Sequence, residues 1–305
     1  MNEGIYFWIR DYDGESNISS PLDFEEAPDS WRKELARLSP WERTECPDRS
    51  LRSIWFKSQK KGVRSPLIIT GKCSSTMELS FELSERGLFP LWASLIAMSQ
   101  SEGRGRSGRK WWSPFGNLYA SVRIPNVKER IATLQGIFAA YAVASSIESL
   151  LLEVRIKWPN DILIGDAKVG GILIEQKGDI IIAGIGINIE LSPEQEFLRR
   201  EKGSKATCLK EFGIDIAPLS LWLTIINDFP LIFENMIDSE RIEMTLRAVE
   251  EKLAYAGREV IFENIEGSSF RAKLLGIHPS GGLILGTKEG EVVESSGHIY
   301  PVYSG

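Results

Sequence analysis

The chain has 305 residues, 43% of them hydrophobic and 26% charged, ordinary values for a folded globular protein that exclude a disordered or collagenous chain. With 36 basic and 42 acidic residues the net charge is −6, which argues against a nucleic-acid backbone as the main partner while leaving room for a local basic patch. The widely spaced Cys46, Cys73 and Cys208 match neither a paired metal-ligand pattern nor a disulfide framework, and His278 and His298 alone supply little histidine chemistry.

No basic stretch followed by an apolar run opens the chain. The longest strongly apolar stretch, Ile180 to Ile189, is about ten residues, against the roughly 20 of a membrane span. A cytoplasmic, reduced protein is expected. Residues 1–66 hold four of the nine tryptophans, Trp8, Trp31, Trp41 and Trp55, and read as an extension of unknown role. Asp29-Ser30 ahead of Trp31, Leu35 and Leu38 predicts an N-capped amphipathic helix. No second helix follows across a short turn. Acids and bases from Met1 to Thr70 balance at twelve to eleven, so neither motif nor charge supports a nucleic-acid reader.

From Leu67 the texture changes to alternating strands and helices. A strand at Leu67 to Ile69 precedes a helix capped at Ser75-Thr76 and stopped by Gly87. Leu91 to Met98 reads as a strand, Gln100 to Ser113 as a Gly/Arg-rich loop, and Asn117 to Ile124 as a strand. Asn126-x-x-Glu129 resembles a capping box for a helix through Ile131, Leu134, Phe138 and Tyr141. Strands follow at Val154 to Trp158, Ile162 to Ile164, Gly171 to Gln176 and Ile180 to Asn188, then helical spacing from Asp215 to Leu253. After Gly257, five short strands ending at His298 to Tyr303 predict a small barrel, which divides the chain into 1–66, 67–256 and 257–305.

Three clusters carry chemistry. Gly103-Arg104-Gly105-Arg106-Ser107-Gly108-Arg109-Lys110, followed by Trp111-Trp112, puts four cations among three glycines. This suits an anion-binding loop whose backbone approaches a ligand closely, or else a solvated flexible loop. Lys157-Trp158-Pro159-Asn160-Asp161 ends a strand with a rigid turn, making Lys157 a fixed point charge for a carboxylate or phosphate, or an ordinary surface lysine before a turn. Glycines inside the apolar runs Gly170 to Glu175 and Gly184 to Asn188 mark close approach by a ligand or another strand. The glycines of 103–108 are not read as a dinucleotide fingerprint, because the residues between them are wrong for one and the loop is too charged to begin a Rossmann helix.

Taken in order, Gly-Arg-Gly-Arg-x-Gly-Arg-Lys-Trp, Lys-Trp-Pro-Asn-Asp, Gly-Gly-Ile-Leu-Ile-Glu and Gly-Ile-Gly-Ile-Asn resemble biotin protein ligase, also called biotin–[acetyl-CoA-carboxylase] ligase, over about residues 67 to 213 and again in the C-terminal strands. The resemblance implies an α+β fold, a class II synthetase-like catalytic domain with a small C-terminal SH3-like barrel. It implies activation of biotin by ATP with Mg²⁺ to biotinyl-5′-AMP, then transfer to a lysine of a biotin carboxyl carrier protein. Such chemistry needs positioned cations and backbone donors but no histidine.

Carried over position by position, Ser75, Thr76, Met77 and Gln100 fall on biotin-binding positions. Arg104, Gly105 and Arg106 fall on the loop that folds over biotin and the adenylate, and Lys157 on the catalytic lysine at the reacting phosphate. Gly171, Gly184 and Gly186 match glycines lining the biotin pocket; Trp111, Asn188 and Ala206 fall on the nucleotide side, and Asp161 matches a structural turn residue. Departures are Met77 where the family commonly has Asn, Trp112 for Phe, and His298 and Val302 where an acid and a basic residue are common, so a nucleotide contact from the last strand is not expected. Residues 1–66 match neither the winged-helix repressor domain nor the minimal form of the family. Side-by-side homodimers are known in it, no nucleic-acid or membrane partner is expected here, and lipoate ligases and a transfer-deficient biotin sensor are the alternatives.

Overall fold

A computed structural model describes residues 1–10, 18–48, 50–51, 53–60, 62–127, 133–194, 205–237 and 239–302. The expected Asn126–Glu129 capping box, Ile131 and Tyr303 fall wholly or partly outside these residues. Contacts group the chain into two compact, interleaved units: Met1–Asn126, Leu173–Leu191 and Cys208–Asn227 form the first, and Val127–Ile172, Ser192–Thr207 and Asp228–Gly305 the second. This grouping cuts across the sequence division at 66/67 and 256/257.

The first unit is built on a mixed sheet in the order β2 (Trp41–Thr44), β3 (Ser53–Ser58), β1 (Ile5–Arg10), β4 (Leu67–Cys73), β5 (Ser94–Gln100), β6 (Leu118–Ile124) and β10 (Ile180–Ile187). Leu67, Ile68 and Ile69 are all buried, as a strand covered on both faces requires. β4 lies parallel to both β1 and β5, with Ile68 opposite Tyr6 and Leu95, so residues 1–66 contribute three strands to the same sheet. Their tryptophans help to hold that arrangement: Trp8 stacks on Trp55 at 5.2 Å, and both are buried. Helix α1 (Asp29–Arg37) buries Trp31 and Leu35.

Helix α2 (Thr76–Glu85) starts after an extended Ser75 and ends where Gly87 takes a φ of +71°, a left-handed conformation that suits glycine. It packs on β5, β6 and β10. The strand expected at Leu91 begins instead at Ser94, because Trp92 adopts a φ of +64° in a turn.

In the second unit, α3 (Leu134–Glu148) is apolar nearly all round and buried, and packs against β7 (Arg155–Lys157) and β8 (Asp161–Ile164). β9 (Ala167–Lys177) begins here beside β8 and ends in the first unit, where its last residues neighbour β10. The long helix expected over 215–253 is two helices, α4 (Pro218–Glu234) and α5 (Ser239–Glu251), separated by a 3-10 turn at Asn235–Ile237.

The C-terminal strands form an antiparallel sheet in the order β15 (Gly290–Glu294), β14 (Leu283–Thr287), β13 (Ser269–Ile277), β12 (Glu259–Glu263) and β16 (His298–Pro301), the five strands foreseen for the small barrel. Glu250 on α5 accepts a hydrogen bond from the Ile277 backbone at 2.8 Å, and the Trp158 indole donates to the Gly281 carbonyl at 2.9 Å. Both bonds lie within the second unit.

Candidate active site

In the first unit the N-terminus of α2 meets the end of β5. The Gln100 carboxamide oxygen accepts from the Thr76 backbone N–H at 2.8 Å and from its hydroxyl at 3.2 Å. The Gln100 amide donates to Ser113 Oγ at 3.0 Å, and Ser113 donates to the Trp111 carbonyl at 3.0 Å. Thr76 and Gln100, both expected on biotin, thus also form a half-buried polar chain from which the arginine loop hangs. Ser113 is the link that sequence reading missed; it stands just beyond the motif without a pattern of its own.

The loop itself is a built hairpin. Arg104 bridges Lys110, the Gly105 N–H donates to the Arg109 carbonyl at 2.8 Å, and the Trp111 N–H donates to Gly103 at 2.8 Å. Ser107 and Gly108 make the reversal with φ of +56° and +72°. A Cβ on Gly103 would lie 2.5 Å from Ser113 Oγ and 2.7 Å from the Trp111 carbonyl oxygen, which is why this position is glycine. Arg104, Arg109 and Lys110 are exposed, and Arg106 is half-buried. Arg104 Nη2 lies 3.4 Å from Glu78 on α2 and 3.7 Å from Glu175 on β9.

Gly184 and Gly186 share one face of β10, since side chains two apart in a strand point the same way. A Cβ on Gly184 would meet Met77 Sδ at 2.5 Å, and one on Gly186 would meet the Trp111 indole at 2.6 Å. Met77 therefore fills the space above Gly184, and is 4% exposed. After β10 the buried Asn117 side chain accepts from the backbone N–H groups of Ile189, Glu190 and Leu191 at 2.9 to 3.1 Å. This fixes the turn next to Asn188, itself buried, whose carbonyl accepts from Leu209. Burial pushes the neighbouring Tyr119 phenol far above its usual range.

In the second unit Lys157 pairs with Asp161 across the tight β7–β8 connection, which contains a cis Trp158–Pro159 bond. Lys157 is 6% exposed, and its ammonium lies 5.4 Å from the centre of the Tyr300 ring on β16. The surface-lysine alternative is thereby removed. Asp161 bonds Lys168 at 2.9 Å, in keeping with a structural role, and faces Gly171 in the β8–β9 pairing. Ala206 lies in β11 (Lys205–Ala206), parallel to the start of β9. The expected site residues are thus grouped as Ser75 to Met77, Gln100, 104–111, Gly184, Gly186 and Asn188 in one unit, and Lys157, Gly171 and Ala206 in the other. Among the described residues no three acids, cysteines or histidines gather as a metal site, and no helix is long and apolar enough to cross a membrane.

Residues 74–192 match the model of the Biotin/lipoate A/B protein ligase family. The bifunctional ligase/repressor BirA of Bacillus spizizenii is 32% identical over 241 residues, covering 73% of this chain and 70% of its own length. BirA of Escherichia coli is 34% identical over 156 residues, a match spanning 46% of this chain and 45% of that relative. Among solved structures, the biotin protein ligase of Aquifex aeolicus in complex with biotin and ATP superposes with a TM-score of 0.67 at 29% identity, covering 78% of this chain and 99% of that one. With a hairpin of four cations hung from α2, a buried lysine at a strand end and glycine-floored β10, this chain belongs to the biotin protein ligase family.

Proposed function

We propose that the chain activates biotin with ATP and transfers it to one lysine of a biotin carboxyl carrier protein in the cytoplasm. The carrying observation is the arginine hairpin: four cations held on a backbone fixed by the Thr76–Gln100–Ser113 chain, in an otherwise acidic protein. In the first step a biotin carboxylate oxygen attacks the α-phosphorus of ATP, the bond to the β-phosphate breaks, and pyrophosphate leaves. In the second, a lysine ε-amine attacks the acyl carbon, AMP leaves with the bonding electrons, and the amine loses a proton.

Both steps concentrate negative charge, so preorganised cations and N–H donors lower their barriers. Lys157 supplies a desolvated point charge at the reacting phosphate, and Arg104, Gly105 and Arg106 close over the adenylate. Ser75, Thr76, Met77, Gln100, Gly171, Gly184 and Gly186 bind biotin, while Trp111, Asn188 and Ala206 take the nucleotide side. Mg²⁺ would come with the triphosphate of ATP and would neutralise part of its charge; among the described residues no cluster of acids, cysteines or histidines would hold it. By role the chain divides into a sheet extension at 1–66, a ligase region at 67–256 and the C-terminal sheet at 257–305. The balanced charge of residues 1–70 and their lack of a helix-turn-helix pattern argue for a partner list without nucleic acid, and a homodimer is compatible with the family.

Labelled biotin should enter a purified carrier domain only with ATP and Mg²⁺, and Lys157→Ala should abolish pyrophosphate exchange with an unchanged circular dichroism spectrum. Lipoate in place of biotin is the control, since the family model spans both ligands. A folded protein that exchanges pyrophosphate with lipoate and not with biotin would overturn the proposal.

A further inference from the structure

Strand β16 alternates its side chains about the C-terminal sheet. Ile299, opposite Phe262, is fully buried, so His298 and Tyr300 point to the other face. There the Tyr300 ring lies under the Lys157 ammonium, with 5.4 Å between nitrogen and ring centre, and the His298 ring flanks it at 6.5 Å. An ammonium in water gains little from a ring face, but Lys157 is 6% exposed and has lost most of its hydration. A tyrosine face is electron-rich and presents no hydrogen-bond geometry, so it attracts the charge without holding the three N–H groups away from a substrate oxygen.

We infer that Tyr300 is a positioning residue for the adenylation step: its ring face holds the Lys157 ammonium in place at the end of β7 before the substrates bind. The inference rests on the reading of Lys157 as the lysine at the reacting phosphate. It gives the C-terminal sheet a part in the chemistry through the face of an aromatic ring, in a strand where no nucleotide contact was expected.

The test uses the full-length protein, with pyrophosphate exchange measured at saturating biotin and ATP and biotin affinity measured separately by calorimetry. Tyr300→Phe should keep the exchange rate within about twofold. Tyr300→Leu, apolar but without a ring quadrupole, should lose roughly 3- to 30-fold in kcat, the range from an exposed to a desolvated cation–ring contact, with biotin affinity unchanged. Because a leucine at 300 can also disturb the sheet, phenylalanines with increasing fluorination are placed at the same position. Their shape is nearly constant while the ring face loses its negative potential, so the rate should fall stepwise with fluorine count. A flat series, with Lys157→Ala inactive, would overturn the role of Tyr300 and leave the proposed function standing. Exchange retained by Lys157→Ala would overturn the reading of Lys157 and the inference with it.

Discussion

Gly103→Ala isolates the mechanical basis of the arginine loop. The added methyl would sit 2.5 Å from Ser113 Oγ, 2.7 Å from the Trp111 carbonyl oxygen and 3.0 Å from Gln100 Nε2. None of these atoms is the free end of a flexible side chain; all belong to the hydrogen-bonded anchor. The protein can keep the clash, at about 1–3 kcal/mol for overpacking. Alternatively it can release the loop and lose three hydrogen bonds worth about 1 kcal/mol each. The cost is therefore roughly 1–3 kcal/mol, which corresponds to about a 5- to 150-fold shorter lifetime of the bound adenylate. Trypsin gives an independent reading, because the loop carries four cleavable cations and cleavage tracks the population of the open form. Gly105→Ala is the contrast: its nearest neighbour would be the Arg109 carbonyl oxygen at 3.8 Å, an ordinary contact. Equal trypsin sensitivity and equal adenylate lifetime in wild type and Gly103→Ala would refute the reasoning.

Three further outcomes follow from other parts of the molecule. Glu34 is 3% exposed, takes the Ser220 N–H at 3.1 Å at the start of α4 and pairs with Arg37 at 2.9 Å; Glu34→Ala should lower the melting temperature by about 5 °C, with activity per folded molecule retained, and an unchanged melting temperature would dismiss the cap. Burial pushes the Cys73 thiol up to about 12. At pH 8 roughly one molecule in 10⁴ then carries the thiolate, so iodoacetamide should modify Cys73 about a thousandfold more slowly than a free cysteine and about tenfold faster per added pH unit; a rate within tenfold of the free amino acid contradicts this. Glu78, Glu175 and Arg104 are each about a third exposed, and pairs of that kind contribute about 0–1 kcal/mol. Glu78→Gln should therefore change adenylate lifetime less than about fivefold, and a loss above tenfold would show a stronger latch.

The legible parts were those where local chemistry decides the structure. Ser75-Thr76 and Gly87 delimit α2 because cap geometry is local, and the apolar strands β4 and β10 announce themselves by composition. The arginine and lysine motifs were visible as charge beside glycine and proline. What was not legible depends on distant pairing. β1 and β3 are sheet strands because Tyr6 to Trp8 find Ile68 to Thr70 some sixty residues away, and nothing within Ile5–Arg10 names that partner. Gln100 looked like a ligand contact, yet its amide also anchors a loop through Ser113 thirteen residues on. Tyr300 stands next to Lys157 only because β16 joins β12 at an edge of the C-terminal sheet. Pro230 lies inside α4 without ending it, so the true break at 235–237 was hidden by continuous apolar spacing.

The interleaving of the two units has a consequence for biosynthesis. Chains usually fold domain by domain as they leave the ribosome, N-terminal part first. Here the first unit draws on residues up to Asn227, while the second opens at Val127, so the first cannot finish before a large part of the second has been made, nor the second before all of the first. Strand β1 emerges before β4, so Trp8 has its stacking partner Trp55 and its parallel neighbour β4 only after some sixty further residues have been made. Shortened versions ending anywhere before Asn227 lack the last piece of the first unit, and they should fail as folded proteins even when both motifs are present.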